Sequence, residues 1–280
     1  PTFAYSYDSR RPDFGRSMIS NLAALSNAYD VNGYDPLVPA RYGEARNLAC
    51  ARSGVFFPSH GVFFSDPNSP VLKLLNVQYV LGRHDLYAPG RLIPGTRIDH
   101  GELSASLELV YPDERWPLFR YREERPLAWA VEEVFVAHSP REALLSAVSL
   151  DPRRAAFVEE DLGGARCPSP PAVAARHKDG RTITVRVAAP SDRTTFVCIA
   201  TTWMPGWSAR TGSDEQLVTV PANGIITGVV VPPGVTQFDL SYAPASFVRG
   251  LLLTVAGLLS WGLLWKRRQK GLPPESTVSP

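Results

Sequence analysis

An apolar run near the C-terminus constrains this chain more than any other feature of its sequence. Phe247 to Trp265, FVRGLLLTVAGLLSWGLLW, contains a single charged residue, Arg249, near its start. At about 1.5 Å per residue, a helix over this run is roughly 28 Å long, close to the hydrocarbon thickness of a bilayer. The sequence therefore predicts a transmembrane helix over residues 246–265, and a buried core helix is the alternative.

The residues that flank this run predict its orientation. Trp261 and Trp265 lie toward its end, where indole rings favour the membrane interface, and KRRQK follows directly. Because positive clusters stay in the cytoplasm, we expect residues 266–280 to be a cytoplasmic basic tail and residues 1–245 to be extracytoplasmic. Nothing before Tyr5 has the character of a signal that starts export, so we expect the C-terminal piece of a larger membrane protein.

Small residues recur along one side of the predicted helix. They are Gly250, Thr254, Gly257 and Ser260, which stand at helical spacing. Inside lipid, small residues allow a neighbouring helix to approach closely. The stripe is suited to contact the transmembrane helices expected upstream, and chance composition of a Gly- and Leu-rich helix is the alternative.

Charge is divided unevenly between the predicted helix and the body of the chain. Of the 29 basic and 27 acidic residues, five basic residues and one acidic residue lie from Phe247 onward, which leaves 24 and 26 in the body. A nucleic-acid-binding surface needs a basic body, so the composition excludes that class of partner. The cysteines, Cys50, Cys167 and Cys198, form no CxxC, and the histidines show no ligand spacing, so no metal site is predicted from them.

The body of the sequence predicts an α+β fold that is mainly β and ends in a β-sandwich. We expect a mixed α/β subdomain over 1–161, a Gly- and Pro-rich linker over 162–180 and a sandwich subdomain over 181–245. Ser139 followed by Pro140 predicts the start of a helix that ends near residue 149, and a second helix is expected near 37–49. Strands are expected at 106–111, 117–122, 127–137, 155–159, 181–188, 194–202, 207–210, 215–220, 225–232 and 235–242.

Two tryptophans surround a Pro-Gly pair in TTWMPGWSA. Pro205 and Gly206 predict a turn between two strands, so Trp203 and Trp207 flank a bend in the sandwich. A sandwich needs large residues where strands change sheet, so packing in the core is the favoured interpretation. A platform for binding a sugar is the alternative.

Five stretches, taken together and in this order, resemble a known family. They are NAYDVNGYDPLVPARY (27–42), LKLLNVQYVL (72–81), RPLAWAVEEV (125–134), WMPGWSA (203–209) and VVVPPG with FDLSYAPASFVRG (229–250). The chain resembles the C-terminal extracytoplasmic region of bacterial YfhO-type membrane proteins, which are similar to GT-C glycosyltransferases. The resemblance implies transfer of a sugar from a polyprenyl-phosphate carrier to a cell-envelope acceptor at the outer face of the bacterial cytoplasmic membrane.

On this resemblance, the polar stretch at 29–42 is the best candidate for substrate contact. Asp30 and Asp35 are suited to hydrogen-bond sugar hydroxyls or to help hold a divalent cation, and Tyr34 to stack on a sugar ring. Arg41, followed by Tyr42, is suited to pair with a lipid phosphate through its bidentate guanidinium. A hydrogen-bonded turn is the alternative, since Asp-x-Asn-Gly and Asp-Pro commonly form turns.

Catalytic residues are not assigned by this sequence. The resemblance implies that the usual catalytic carboxylate lies in an early extracytoplasmic loop, close to the first helices of the family, which this chain does not contain. No GxSxG motif or phosphate-binding glycine loop appears, so nothing supports a self-contained hydrolase. The alternative function is a non-catalytic, membrane-anchored carbohydrate-binding or assembly domain.

Overall fold

The structure is a computed structural model that describes residues 2–5, 29–30, 33–34, 39–50, 61–62, 69–81, 105–112, 117–163, 167–188 and 192–270. The helices in these ranges are α1 (Ala40–Cys50), α2 (Pro70–Leu74), α3 (Pro140–Ser149) and α4 (Ala245–Lys270). Asp35 and residues 271–280 lie outside the described residues.

The described strands form three larger sheets and one pair. The first sheet has the strand order β2-β1-β5-β7-β6. Its strands are β1 (Thr2–Tyr5), β2 (Tyr29–Asp30), β5 (Tyr79–Leu81), β6 (Leu107–Tyr111) and β7 (Leu118–Tyr121). β3 (Gly33–Tyr34) pairs with β4 (Gly61–Val62). The second sheet has the strand order β8-β13-β17-β16-β10-β9. Its strands are β8 (Ala128–Val131), β9 (Glu133–Val136), β10 (Ala155–Val158), β13 (Thr195–Thr202), β16 (Thr219–Ala222) and β17 (Ile226–Val231). The third sheet has the strand order β11-β12-β18-β14-β15. Its strands are β11 (Val173–Asp179), β12 (Thr182–Val187), β14 (Trp207–Thr211), β15 (Gln216–Leu217) and β18 (Gln237–Tyr242).

The second sheet lies between two apolar layers. Along β13, Val197 and Ile199 pack in the core shared with the third sheet, while Phe196 and Cys198 pack in the core shared with the helices. Successive side chains of a strand point to opposite faces, and all four of these are fully buried. A strand covered on both faces is apolar throughout, which explains the unbroken run TFVCIA.

The second and third sheets form a β-sandwich, in agreement with the sequence prediction for the C-terminal part. Its core consists of Ala128, Ala130, Ile183, Val185, Val197, Ile199, Ala209, Leu217, Val229, Val231, Phe238 and Leu240. These residues alternate along their strands, as expected for two sheets that pack face to face.

Helix α3 begins where its sequence predicts. The Ser139 hydroxyl accepts a hydrogen bond from the Glu142 backbone N–H at 3.1 Å, and the Glu142 carboxylate accepts one from the His138 N–H at 2.9 Å. This reciprocal arrangement satisfies two backbone donors at the helix start, and Pro140 needs none. The opposite side of α3 buries Ala143 and Leu144 against the second sheet.

The LNV sequence at residues 75–77 forms the end of helix α2. Asn76 adopts a left-handed backbone, with φ 54°. Its N–H donates to the carbonyl of Lys73 at 3.2 Å, and the N–H of Val77 donates to the carbonyl of Leu72 at 3.0 Å. These two bonds define a Schellman motif, in which asparagine is the usual substitute for glycine. The motif turns the chain from α2 directly into β5.

The single strand predicted over 127–137 is two strands, divided at Glu132. β8 and β9 are the two outer strands of the second sheet, although only Glu132 separates them along the chain. Neighbouring strands are about 4.8 Å apart, so a six-stranded sheet must curl strongly to bring its outer strands together. The sequence pattern could not show this, because alternation does not report which partner a strand pairs with.

Part of the predicted linker over 162–180 is a strand. Val173–Asp179 forms β11, which pairs antiparallel with β12. Strands β8 to β10, which precede the linker, share the second sheet with β13, β16 and β17, which follow it. The range 162–180 therefore does not separate two sheets.

Helix α4 is long and apolar enough to cross a membrane, and no other helix in the described ranges is. Every residue of its segment Ala245–Gly262 is exposed. Within the described residues this exposure does not fit the alternative of a buried core helix, and it is compatible with anchoring in a membrane.

We predict that Gly228→Ala destabilises the fold by about 2 kcal/mol, because β17 has no room for a side chain at this position. An added Cβ would lie 2.3 Å from the buried Phe196 Cζ and 3.1 Å from the Ala222 Cβ. Gly212→Ala is the matched control, since nothing lies within 4 Å of an added Cβ there. Denaturant unfolding of the full chain in detergent measures both, and equal stabilities would contradict the tight packing of β17.

Candidate functional site

The start of helix α4 marks one end of the sandwich. β18 ends at Tyr242, three residues before α4 begins at Ala245, and Tyr242 pairs with Trp207 at the start of β14. The turn at 203–206 leads from β13 of the second sheet to β14 of the third, and the turn at 223–225 connects β16 to β17 at the same level. Glu159 follows β10 at the same end. We call this the helix-proximal end of the sandwich.

Arg41 is held at the helix-proximal end by an ion pair. Its guanidinium binds the Glu159 carboxylate with two parallel hydrogen bonds, Nη1 to Oε1 and Nη2 to Oε2, the second at 2.8 Å. Nη1 also donates to the carbonyl of Gly224 at 3.4 Å. Side chains of the pair are 24% and 23% exposed, so solvent reaches both. The forked geometry is the one by which arginine also binds phosphate.

A second cation lies beside this pair. Arg141, in the first turn of α3, is 74% exposed, and its Nη1 lies 3.6 Å from the Glu44 carboxylate on α1. The turn at Gly224 holds the start of α3 close, because a Cβ added to Gly224 would lie 2.3 Å from the Pro140 carbonyl oxygen. Helices α1 and α3 thus meet the sandwich at the same end.

The other predicted contact residues are placed on different elements. Asp30 pairs with Phe3 at the edge of the first sheet, and Tyr34 pairs with Gly61 between β3 and β4. Tyr42 packs against the core on the helix side of the second sheet. Asp35 lies outside the described residues, so its role stays a prediction.

Trp207 packs into the sandwich. Its ring lies against the sandwich core and 5.0 Å from the Tyr242 ring, and its indole N–H donates to the carbonyl of Thr202 at 3.1 Å. A tryptophan that is half-buried in this way is expected to find such a partner for its one donor. These contacts support the core interpretation over the sugar platform.

Trp203 is placed differently. Its backbone N–H donates to the carbonyl of Ile225 at 2.7 Å, which fixes the position of the residue in the turn. The side chain is half-buried and belongs to neither core cluster, and its indole has no hydrogen-bond partner among the described residues. Trp203 therefore has a fixed backbone and an indole N–H that is available to a ligand or to solvent.

The turn at Gly206 is fixed to the start of α4. The Ala243 N–H donates to the Gly206 carbonyl at 2.9 Å. Gly206 has φ +118°, and an added Cβ would lie 2.8 Å from the Pro244 Cα. Only glycine combines this backbone angle with so close an approach. The WMPGW turn and the YAP sequence before α4 are thus one packing unit.

Arg125 joins two other stretches of the sequence. Its guanidinium carbon lies 3.5 Å from the centre of the Tyr121 ring, and its Nη1 donates to the Val77 carbonyl at 3.0 Å. Burial lowers the pKa of Arg125, while Tyr121 and Glu123 act in the opposite direction. An arginine stays protonated through such a shift, so its charge is satisfied by packing rather than used for proton transfer.

The described residues contain no group of three or more potential metal ligands. A divalent cation bound through Asp30 and Asp35 stays a prediction, because Asp35 is not described. Cys167 and Cys198 are free and buried, and burial raises the pKa of the Cys198 thiol, so it is an inert core residue.

The chain matches no family model, no curated protein and no solved structure. The resemblance to YfhO-type proteins therefore rests on the five stretches alone and stays a prediction. Reasoning from the sequence missed Glu159 as the partner of Arg41, since 118 positions separate them and nothing local connects the two.

We predict that Trp207→Ala lowers the free energy of unfolding by about 3 kcal/mol, because it removes a ring packed on the core. Trp203→Ala is the matched control and should cost less than about 1 kcal/mol, since its ring belongs to neither core. Chemical unfolding of the full chain in detergent, followed by circular dichroism, provides both values. A stable Trp207→Ala protein would instead favour the sugar platform.

Proposed function

We propose that this chain is the extracytoplasmic part of a membrane protein that transfers a sugar from a polyprenyl-phosphate carrier to a cell-envelope acceptor. One observation carries the proposal: Arg41, the candidate phosphate ligand, lies at the helix-proximal end of the sandwich. A lipid-linked donor presents its phosphate at the bilayer surface, so its ligand must lie at the end of the domain nearest the membrane.

The charges around Arg41 are suited to this task. Glu159 holds the guanidinium in a fixed orientation, and the same fork of donors fits a phosphate. A phosphate carries charge comparable to or greater than that of the carboxylate and can compete for the pair, since both partners are reached by solvent. Arg141 and Glu44 form a second, more exposed ion pair between α3 and α1.

Helix α4 provides the anchor in this proposal. Its uncovered apolar segment spans the bilayer, and Lys266 to Lys270 at its end keep that end in the cytoplasm. The sandwich then lies on the outer face of the bacterial cytoplasmic membrane. The donor site would be completed by helices upstream, as the family resemblance implies.

An assembly domain is the second candidate function. The uncovered surface of α4 includes Gly250, Thr254 and Gly257, which suit close packing with another membrane helix. A carbohydrate-binding module is less well supported, because Trp207 is directed into the protein.

We expect Arg41→Ala to reduce sugar transfer about tenfold or more, because a bidentate phosphate contact is lost. The measurement is the sugar content of extracted cell-envelope polymer in a deletion strain complemented with the full-length protein.

Asp35→Ala should abolish transfer in the same measurement if this residue binds the sugar as predicted. The amount of each variant in the membrane is determined by immunoblotting.

Glu159→Gln is the matched control, since it perturbs the same ion pair from the other side. It should leave transfer largely intact if Arg41 binds substrate, because a glutamine still accepts a hydrogen bond from the guanidinium. Equal losses in both variants would mean that the pair only supports the fold. Full transfer in Arg41→Ala and Asp35→Ala would overturn the site and favour the assembly domain.

A further inference from the structure

Helix α4 carries tryptophan at only one of its ends. Trp261 and Trp265 lie near its C-terminal end, with ring centres 5.9 Å apart. From Ala245 to Trp265 the helix advances 20 residues, which at about 1.5 Å each is ~30 Å, the thickness of the hydrocarbon core. Membrane-spanning segments commonly have tryptophan and tyrosine at both interfaces, so the N-terminal end is incomplete by itself.

The sandwich places aromatic rings at this second level. Tyr242 lies three residues before α4, and Trp207 is paired beside it with ring centres 5.0 Å apart. Trp203 lies four residues before Trp207 in the same turn. The Trp207 indole and the Tyr242 phenol thus lie close to the start of α4, about one bilayer thickness away from Trp261 and Trp265, and Trp203 lies in the turn that leads to Trp207.

The turn cannot move independently of the helix. The hydrogen bond from Ala243 to Gly206 and the close approach of Gly206 to Pro244 join the turn to the residues immediately before α4. A glycine at φ +118° in van der Waals contact with a proline leaves little freedom at this junction. Wherever the start of α4 lies in a bilayer, the turn lies beside it.

The surface of the turn is apolar and uncharged. Pro205 is exposed, Trp203 and Met204 are half-buried, and residues 201–209 contain no charged side chain. The Trp203 indole has no hydrogen-bond partner among the described residues, whereas the Trp207 indole donates to Thr202. An indole with a free N–H and an apolar body is suited to the headgroup layer.

We propose that the turn from Trp203 to Trp207 lies in the lipid headgroup layer beside α4, so that the sandwich contacts the bilayer directly. Trp203 and Met204 enter the interface, and Trp207 with Tyr242 supports them from within the domain. The inference rests on the membrane anchoring in the proposed function, and it adds a second contact between the domain and lipid.

Environment-sensitive labelling tests this contact. The full chain, with Cys50→Ser, is reconstituted in phosphatidylcholine–phosphatidylglycerol vesicles and labelled with a nitrobenzoxadiazole dye at Pro205→Cys. Cys167 and Cys198 are buried and stay unlabelled. We expect a blue-shifted emission and strong quenching by lipids that carry a nitroxide near the headgroup. Met204→Cys is the second variant, in case the label at 205 disturbs the turn.

Two controls separate the possible failures. Ser213→Cys places the dye in the turn that follows β14, and the strand from Trp207 to Thr211 separates it from the WMPGW turn by about 14 Å at ~3.4 Å per residue, so no quenching is expected there. Leu253→Cys places it within α4, where lipids with a deep nitroxide should quench it. If 204 and 205 behave like 213 while 253 is quenched, the turn lies in water and this inference is wrong. If 253 is also unquenched, the proposed membrane anchoring itself is wrong.

Discussion

The structure depends on the burial of strands β13 and β17 on both faces. Phe196 and Val197 point in opposite directions from adjacent positions, and neither has access to water. A strand of this kind needs two covering layers, so the third sheet covers one face and helices α1 to α3 cover the other. Gly228 shows how closely the layers approach, since the Phe196 ring occupies the space of its missing side chain.

The motifs that distinguish this sequence mainly connect elements of the fold to one another. LNV ends α2 through the left-handed Asn76, and Arg125 ties the next motif to Val77. The WMPGW turn packs on the YAP sequence through Gly206 and Pro244. Arg41 combines a structural contact with a partly exposed guanidinium that can also bind an anion. A shared set of motifs can therefore preserve a fold and its attachment to a helix without specifying the reaction that occurs there.

Much of the fold could be predicted from local pattern. Ser139 and Pro140 fixed the start of α3, and alternation or continuous apolar runs located most strands within one or two residues. The break at Glu132, the strand within the linker and the sharing of one sheet across residues 162–180 depend on pairing partners far away in sequence. The contacts of the candidate site could not be predicted from local pattern either. Arg41 was identified by its chemistry, but its partner Glu159 could be found only in three dimensions.

Only two residues connect β18 to α4, so the sandwich is expected to change its orientation together with the helix. With a flexible linker, the helix could tilt without changing the orientation of the sandwich. Here the hydrogen bond between Ala243 and Gly206 couples the orientation of the sandwich to that of α4. Membrane helices adapt to bilayer thickness by tilting, so if α4 spans a bilayer as proposed, the sandwich tilts with it. In that proposed anchoring, bilayer thickness would set the angle between the sandwich and the membrane surface.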